Sequence, residues 1–175
     1  MLRVGTVGTS SIMRTIQEAI RLTDGMECRV VYSRTEEQGR AFAAEMGVPE
    51  HCTDYAAMLE RSDLDLIDIA SPNRFHVEQA LAALEHGKHV IVEKPAAVTR
   101  GDVQRLIDAA RANGVYFFEA ITTLFMPQYE ACRLLLPKLG RIEQAHITYA
   151  QYSSRYDAYL RGENPNIFNP AMQAG

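Results

Sequence analysis

The feature that most constrains the fold is a regular alternation of short apolar runs with segments of helical periodicity. The run 2–7 is apolar, and the segment 11–22 that follows it repeats apolar residues at Ile12, Ile16, Ala19 and Ile20. Strand-like runs also occur at 28–32, 64–70, 88–92 and 115–120, and helix-like segments occur at 36–46, 55–61, 73–86 and 101–113. Strands that alternate with helices predict a mostly parallel sheet covered on both faces. With right-handed crossovers, the predicted fold class is α/β, a Rossmann-like doubly wound parallel sheet.

Composition limits the class of protein. The 175 residues are 47% hydrophobic and 23% charged, with a net charge of −4, which is typical of a globular chain and not of a disordered one. No basic run predicts a nucleic-acid surface, and no apolar stretch approaches the roughly 20 residues of a membrane span. The chain begins with a predicted strand rather than a signal peptide, and Cys28, Cys52 and Cys132 are too widely spaced for a zinc site. We therefore expect a cytoplasmic protein with reduced thiols and no bound metal.

The end of the chain departs from the alternation. The stretch 124–139 is helix-like but interrupted by Pro127 and Pro137, the stretch 142–152 alternates like a strand, and a polar tail follows. One strand does not bury its faces alone. We therefore predict a domain at 1–120 and the incomplete start of a second domain at 121–175. An unpaired edge and apolar face there favour self-association.

The first motif follows the first strand and opens a helix. A dinucleotide fingerprint places glycines at the first, third and sixth positions, but here only Gly8 is present, with Ser10 and Met13 at the other two. The free amides and the dipole of a helix N-terminus suit an anion, and nearby hydroxyls add donors. The motif predicts a phosphate site at Gly8, Thr9, Ser10, Ser11 and Ile12; a serine-capped helix is the alternative.

The second motif follows the second strand. Sites specific for NAD place an acidic residue here, but this chain has Ser33 and Arg34. A hydroxyl and a guanidinium suit a ribose 2′-phosphate, so NADP is favoured and NAD stays possible. Glu36 and Glu37 lie one helical step later and could still contact a ribose. A solvated Arg34 at the start of a helix is the alternative.

The third motif is Ser71, Pro72, Asn73 and His76, after the fourth predicted strand. Pro72 restricts the backbone, and Asn73 is predicted to cap the next helix while lining a nicotinamide site. His76 lies one turn further on, where a surface histidine is an equal alternative.

Two further strands end in charged residues. The run 90–92 leads into Glu93, Lys94 and Pro95, and Glu119 ends the last predicted strand of the first domain. Ligands of open α/β sheets bind at this end of the strands. Lys94 is therefore a candidate donor to a substrate oxygen, with a surface Glu–Lys pair as the alternative. For Glu119, a salt bridge is as good an explanation as a ligand contact.

Taken in order, these motifs resemble those of the Gfo/Idh/MocA oxidoreductases, and the segment from Glu119 to Pro127 resembles the dihydrodiol, sugar and inositol dehydrogenase branch. The resemblance implies a Rossmann domain followed by an α+β domain with an open antiparallel sheet. It also implies hydride transfer between NAD(P) and a secondary alcohol or ketone of a sugar, cyclitol or diol, in a dimer or tetramer. Residues assigned to the cofactor by the resemblance are Gly8, Thr9, Ser10, Ser11, Ile12, Ser33, Arg34, Ser71, Pro72, Asn73, His76, Glu93, Lys94 and Glu119.

The resemblance makes Lys94 the catalytic residue that faces the substrate. It also implies an aspartate and a histidine or tyrosine on a helix that would lie beyond Gly175. The alternative is a catalytically silent module that binds a dinucleotide or supports oligomerisation.

Overall fold

The computed structural model describes residues 1–163 and 165–173 and contains a six-stranded, entirely parallel sheet in the order β3-β2-β1-β4-β5-β6. The strands are β1 (Leu2–Val7), β2 (Met26–Tyr32), β3 (Glu50–Cys52), β4 (Leu66–Ile69), β5 (His89–Val92) and β6 (Phe117–Glu119). The helices are α1 (Ser11–Leu22), α2 (Glu36–Met46), α3 (Tyr55–Leu59), α4 (His76–Glu85), α5 (Arg100–Ala112), α6 (Pro127–Leu135) and α7 (Ser154–Leu160). The Rossmann-like α/β prediction is confirmed.

Helices cover both faces of the sheet, because alternate strand residues point to opposite sides. On one face, Ile67 and Val90 pack in one buried cluster with Leu84 of α4 and Leu106 of α5. On the other face, a cluster of Met13, Val31, Phe42 and Ala70 joins α1 and α2 to the strands. Burial on both sides explains why the central strands β1, β4 and β5 are mostly apolar.

Several helix boundaries follow from capping residues visible in the sequence. The Asp54 side chain accepts a hydrogen bond from the Ala57 amide at 3.0 Å and so caps the start of α3. Thr35 and Thr99 cap α2 and α5 in the same way. Gly47 ends α2 in the left-handed region at φ 70°, where glycine is favoured.

The predicted strand at 142–152 is wrong. Residues 142–152 are all exposed and take part in no strand pairing among the described residues. A strand needs a neighbour to satisfy its backbone groups, and an alternating pattern does not supply one. The polar tail, for which no helix was predicted, contains α7. Asn164, Ala174 and Gly175, which belong to the predicted second domain, lie outside the described residues.

Two smaller features also differ from expectation. The segment before Asp54 forms β3, a parallel edge strand of three residues that was too short to show a pattern. The predicted helix at 73–86 begins with a 3₁₀ turn, Asn73–Phe75, before α4. Within the described residues, no helix is long and apolar enough to cross a lipid bilayer.

Asp68 is a buried carboxyl in the middle of the sheet, and the sequence analysis did not single it out. It is 6% exposed, and its Oδ1 has no hydrogen-bond partner within the described part of the chain. Burial raises the pKa of Asp68 to about 7, and the charge of Glu93 adds to the effect. The sequence did offer one signal for this buried carboxyl, because Asp68 is the single acidic residue in the otherwise apolar strand Leu66–Ile69.

Asp68 is expected to make folding stability depend on pH. Between about pH 4 and pH 7 the folded chain holds a proton that the unfolded chain releases, so the free energy of unfolding falls as pH rises and levels off above pH 7. A shift of this size corresponds to about 4 kcal/mol. Asp68→Asn should therefore gain stability relative to the parent between pH 4 and pH 8 by up to that amount.

Urea denaturation at several pH values measures the effect. Asp24→Asn, in an exposed turn, is the matched control and should leave the pH dependence unchanged. Parallel curves for Asp68→Asn and the parent chain would contradict the argument.

Candidate functional site

The carboxyl ends of the central strands meet at one edge of the sheet, where the chain order reverses between β1 and β4. Crevices at such reversals bind ligands in open α/β sheets. Two clefts open here, one of about 590 Å³ and one of about 760 Å³. The larger is called the second cleft below.

Together the clefts contain all of the predicted site residues except His76 and Glu119. The first cleft is lined by Gly8, Thr9, Ser10, Ser33, Arg34, Ser71 and Pro72 among others. The second includes Ser10, Ser11, Ile12, Ser71, Pro72, Asn73, Glu93, Lys94 and Pro95. Residues far apart in the sequence are therefore brought to one continuous edge.

Gly8 follows β1 and contacts the ends of both neighbouring strands, β2 and β4. Its amide donates to the Tyr32 carbonyl oxygen at 3.0 Å, and its φ is 112°. A Cβ at this position would lie 2.9 Å from the Ala70 carbonyl oxygen. Only glycine fits both the backbone angle and this close approach.

The N-terminus of α1 faces the clefts without a side-chain cap. Ser10 occupies the N-cap position, but its hydroxyl accepts no hydrogen bond from the helix, and no acidic residue lies in the first turn. The alternative of a serine-capped helix is therefore not observed. Amides without intrahelical partners and the positive end of the helix dipole suit a phosphate here.

The turn after β2 presents one buried and one exposed side chain. Ser33 is 3% exposed and its amide donates to the Cys52 carbonyl oxygen at 3.0 Å, whereas Arg34 is exposed. Glu36 Oε1 lies 2.7 Å from His51 Nε2. Arg34 thus extends over the first cleft from a fixed backbone.

Tyr55 is a cleft residue that the sequence analysis missed. Its ring packs against Tyr32 at 5.3 Å between centroids, and its hydroxyl donates to the Gln79 carbonyl oxygen at 2.8 Å. Burial raises the pKa of Tyr55, so it stays a neutral donor. The available signal was an aromatic residue directly after the N-cap Asp54.

The turn after β4 borders both clefts. The Ser71 hydroxyl donates to Gln79 Oε1 at 2.6 Å. Asn73 does not cap the helix as predicted, because its amide donates to the Gln173 carbonyl oxygen at 3.0 Å. Pro72 precedes the 3₁₀ turn in an extended conformation and directs the chain along the cleft.

His76 is not a surface histidine. It is 1% exposed, with Nε2 2.8 Å from the Ser71 carbonyl oxygen and Nδ1 2.9 Å from the Pro95 carbonyl oxygen. Its ring contacts the two turns that border the second cleft and does not itself line that cleft. The ring therefore links the two turns.

The turn after β5 carries Lys94 into the second cleft. The Glu93 amide donates to the Ile69 carbonyl oxygen at 2.8 Å, and Glu93 Oε2 accepts from the Lys94 amide at 3.3 Å. The Lys94–Pro95 peptide bond is cis. The Lys94 side chain is exposed and forms no ion pair within residues 1–163 and 165–173. The alternative of a surface Glu–Lys pair is not observed.

Glu119 forms no salt bridge within the described residues. Its Oε1 accepts a hydrogen bond from the Ala96 amide at 2.8 Å. The carboxylate therefore holds the turn that follows Lys94.

Replacement of Gly8 is expected to damage both fold and site. In Gly8→Ala the methyl group meets the Ala70 carbonyl, and the positive φ costs a further ~1–2 kcal/mol. We expect a lower midpoint in urea denaturation and loss of dinucleotide binding in a fluorescence titration.

Gly25→Ala is the matched control, because Gly25 also has a positive φ but no atom within 4 Å of an added Cβ. It should lower stability moderately and keep dinucleotide binding. Equal binding by Gly8→Ala and the parent chain would contradict the requirement for close approach.

Comparison with known proteins agrees with this geometry. Residues 2–121 match the GFO_IDH_MocA family, described as an oxidoreductase family with an NAD-binding Rossmann fold. The whole chain is 41% identical to an uncharacterised oxidoreductase, YgjR, of Escherichia coli. It is 37% identical to the scyllo-inositol 2-dehydrogenase (NADP(+)) IolU of Bacillus subtilis, and it spans 53% of each. The chain therefore spans about half the length of these curated relatives.

Solved structures of other proteins share this fold. The 3-ketoreductase KijD10 of Actinomadura kijaniata, crystallised with NADP and TDP-benzene, superposes with a TM-score of 0.74 at 30% identity, over 78% of this chain and 42% of that one. Biliverdin reductase of Synechocystis, crystallised with biliverdin and NADP+, gives 0.70 at 30% identity, over 80% and 44%. The turns at the sheet edge, the family match and these neighbours establish that this chain belongs to the Gfo/Idh/MocA oxidoreductases and is built on their NAD(P)-binding Rossmann fold.

Proposed function

We propose that this chain is the cofactor-binding part of an NADP-dependent dehydrogenase that acts on a secondary alcohol or ketone of a sugar, cyclitol or diol. The observation that carries the proposal is the pair of clefts along one edge of the sheet. Arg34 lines the first cleft, Lys94 lines the second, and the uncapped N-terminus of α1 borders both. The boundary of this part is proposed at residue 120, with 121–175 beginning the substrate and oligomerisation domain of a cytoplasmic dimer or tetramer.

The first cleft is proposed to hold the adenosine half of the dinucleotide. Gly8, Thr9, Ser10, Ser11 and Ile12 would bind the pyrophosphate through backbone amides and hydroxyls. Tyr55 and Tyr32 supply an apolar wall with a neutral hydroxyl between β2 and α3.

NADP is proposed over NAD because of the turn after β2. This turn carries Ser33 and Arg34 where an NAD-specific site has an acidic residue. The exposed guanidinium of Arg34 suits the doubly charged 2′-phosphate of NADP. In support, IolU is named as an NADP(+) enzyme and KijD10 was crystallised with NADP.

The second cleft is proposed to hold the nicotinamide and the substrate. The dinucleotide supplies or accepts the hydride when bound. The Lys94 ammonium would donate a hydrogen bond to the substrate oxygen. It would also hold the proton that this oxygen gains when a ketone is reduced or loses when an alcohol is oxidised. Glu93 would contact the nicotinamide ribose, and Ser71, Pro72 and Asn73 would border the ring.

Arg155 and Asn166 also line the second cleft and offer donors on the substrate side. Such donors suit the hydroxyl groups of a polyol. The second candidate is a catalytically silent module that binds a dinucleotide or supports oligomerisation. Assay of the full-length protein on sugars, inositols and diols distinguishes the two.

The cofactor preference is tested by titration with NADPH and NADH. The chain should bind NADPH more tightly, and Arg34→Ala should weaken NADPH by about 10- to 100-fold, as expected for loss of a charge-assisted contact of ~1.5–3 kcal/mol. NADH affinity should change little.

Arg40→Ala, an exposed arginine on α2 outside both clefts, is the matched control. Equal affinities for the two nucleotides, or no effect of Arg34→Ala, would remove the argument from Ser33 and Arg34.

The role of Lys94 is tested by Lys94→Met in the full-length protein. Because a positioned proton donor contributes about 10²- to 10⁴-fold, kcat should fall by at least 100-fold while the affinity for NADPH changes by about twofold or less. Steady-state kinetics and cofactor titration provide the two values. The exposed Lys138→Met is the control, and unchanged turnover in Lys94→Met would leave Lys94 without a catalytic role.

A further inference from the structure

We propose that His76 and Glu119 are positioning residues that clamp the peptide unit between Pro95 and Ala96 and thereby orient Lys94. The inference rests on the proposed role of Lys94. It concerns two residues that were expected to touch the cofactor and whose side chains contact the backbone of the lysine turn.

Both polar groups of one peptide unit are held by side chains from different elements. His76 Nδ1 lies 2.9 Å from the Pro95 carbonyl oxygen, and Glu119 Oε1 accepts from the Ala96 amide at 2.8 Å. Because the carbonyl of Pro95 and the amide of Ala96 belong to the same planar unit, two contacts on opposite sides fix the orientation of its plane.

Two of the residues that make the clamp are buried, and the third lies in the sheet. His76 is 1% exposed at the start of α4, and Ala96 is 2% exposed within the main hydrophobic cluster. Glu119 lies on β6, paired in register with Val92 two residues before Lys94. A carboxylate that accepts from a backbone amide makes a charge-assisted bond, which is stronger than a neutral one.

The second ring nitrogen of His76 extends the clamp to the other side of the cleft. Nε2 lies 2.8 Å from the Ser71 carbonyl oxygen. Both ring contacts are to backbone carbonyl oxygens, one in each turn. His76 thus ties the turn after β4 to the turn after β5.

Lys94 lies between two fixed points of the backbone. On its N-terminal side the Glu93 amide is bonded to the Ile69 carbonyl oxygen, and on its C-terminal side the clamp begins one residue later. The side chain itself is exposed in the second cleft. A displacement of about 1 Å at a reacting group costs up to 100-fold in rate, so the stiffness of this turn matters for the proposed chemistry.

The clamp is tested first by hydrogen exchange of the Ala96 amide, followed by NMR on the 175-residue chain. Glu119→Ala and His76→Gln should each speed exchange at Ala96 by about tenfold or more, since each removes a hydrogen bond to this peptide unit. Glu119→Gln keeps an acceptor oxygen and should restore most of the protection. Glu85→Ala and His86→Gln, on the exposed end of α4, are the matched controls and should leave Ala96 unchanged.

The effect on Lys94 is read separately from its ¹³C-dimethylated amine. The chain has three lysines, Lys88, Lys94 and Lys138, so each signal is assigned by a single Lys→Arg variant. On addition of NADPH, the Lys94 signal should shift in the parent chain, and in Glu119→Ala and His76→Gln that shift should fall by at least half. The Lys138 signal should not move.

The two readouts separate the clamp from the function. An unprotected Ala96 amide in the parent chain, or exchange unaffected by the variants, would overturn the clamp even if NADPH shifts Lys94. Faster exchange with an unaltered Lys94 response would show a structural contact without a positioning role and would also overturn the proposal. If NADPH does not shift the Lys94 signal in the parent chain, while the Ala96 amide is protected from exchange, the proposed function of Lys94 is refuted. The positioning role is then refuted with it.

Discussion

The approach of the Gly8 backbone to the Ala70 carbonyl oxygen is the constraint on which the functional edge depends. A side chain at Gly8 would reach within 2.9 Å of that oxygen, so the ends of β1 and β4 are held as close as a backbone without Cβ allows. This contact lies where the order of the sheet reverses, and it brings the N-terminus of α1 beside the turn after β4. Both clefts open from this point.

The two clefts are built on different physical principles. In the first, exposed groups on short turns face a concave wall of aromatic and small residues, which suits recognition of a nucleotide by charge and shape. In the second, the backbone of the turn that carries Lys94 is bonded to the Ile69 carbonyl oxygen and to the side chains of His76 and Glu119. The exposed side chains of Arg34 and Lys94 thus rise from turns whose backbone is held by hydrogen bonds.

Much of the fold was predictable because its signals are local. Helix α2 has the predicted bounds, since Thr35 begins it and Gly47 ends it, and β1 follows from a short, mostly apolar run. The strand at 142–152 was not formed, because a strand depends on a partner that no local pattern encodes. Most cleft residues were predictable because strand ends converge in a parallel sheet. The contacts of His76 and Glu119 were not, since backbone carbonyls and amides leave no mark in the sequence.

A crystal structure of the chain with NADP+ tests the central claim most directly, namely that the dinucleotide binds across the edge where β1 and β4 diverge. The account predicts the pyrophosphate on the amides at the N-terminus of α1, the 2′-phosphate beside Arg34 and the nicotinamide in the cleft that contains Lys94. A dinucleotide bound elsewhere, or one whose pyrophosphate makes no contact with residues 8–12, would contradict it.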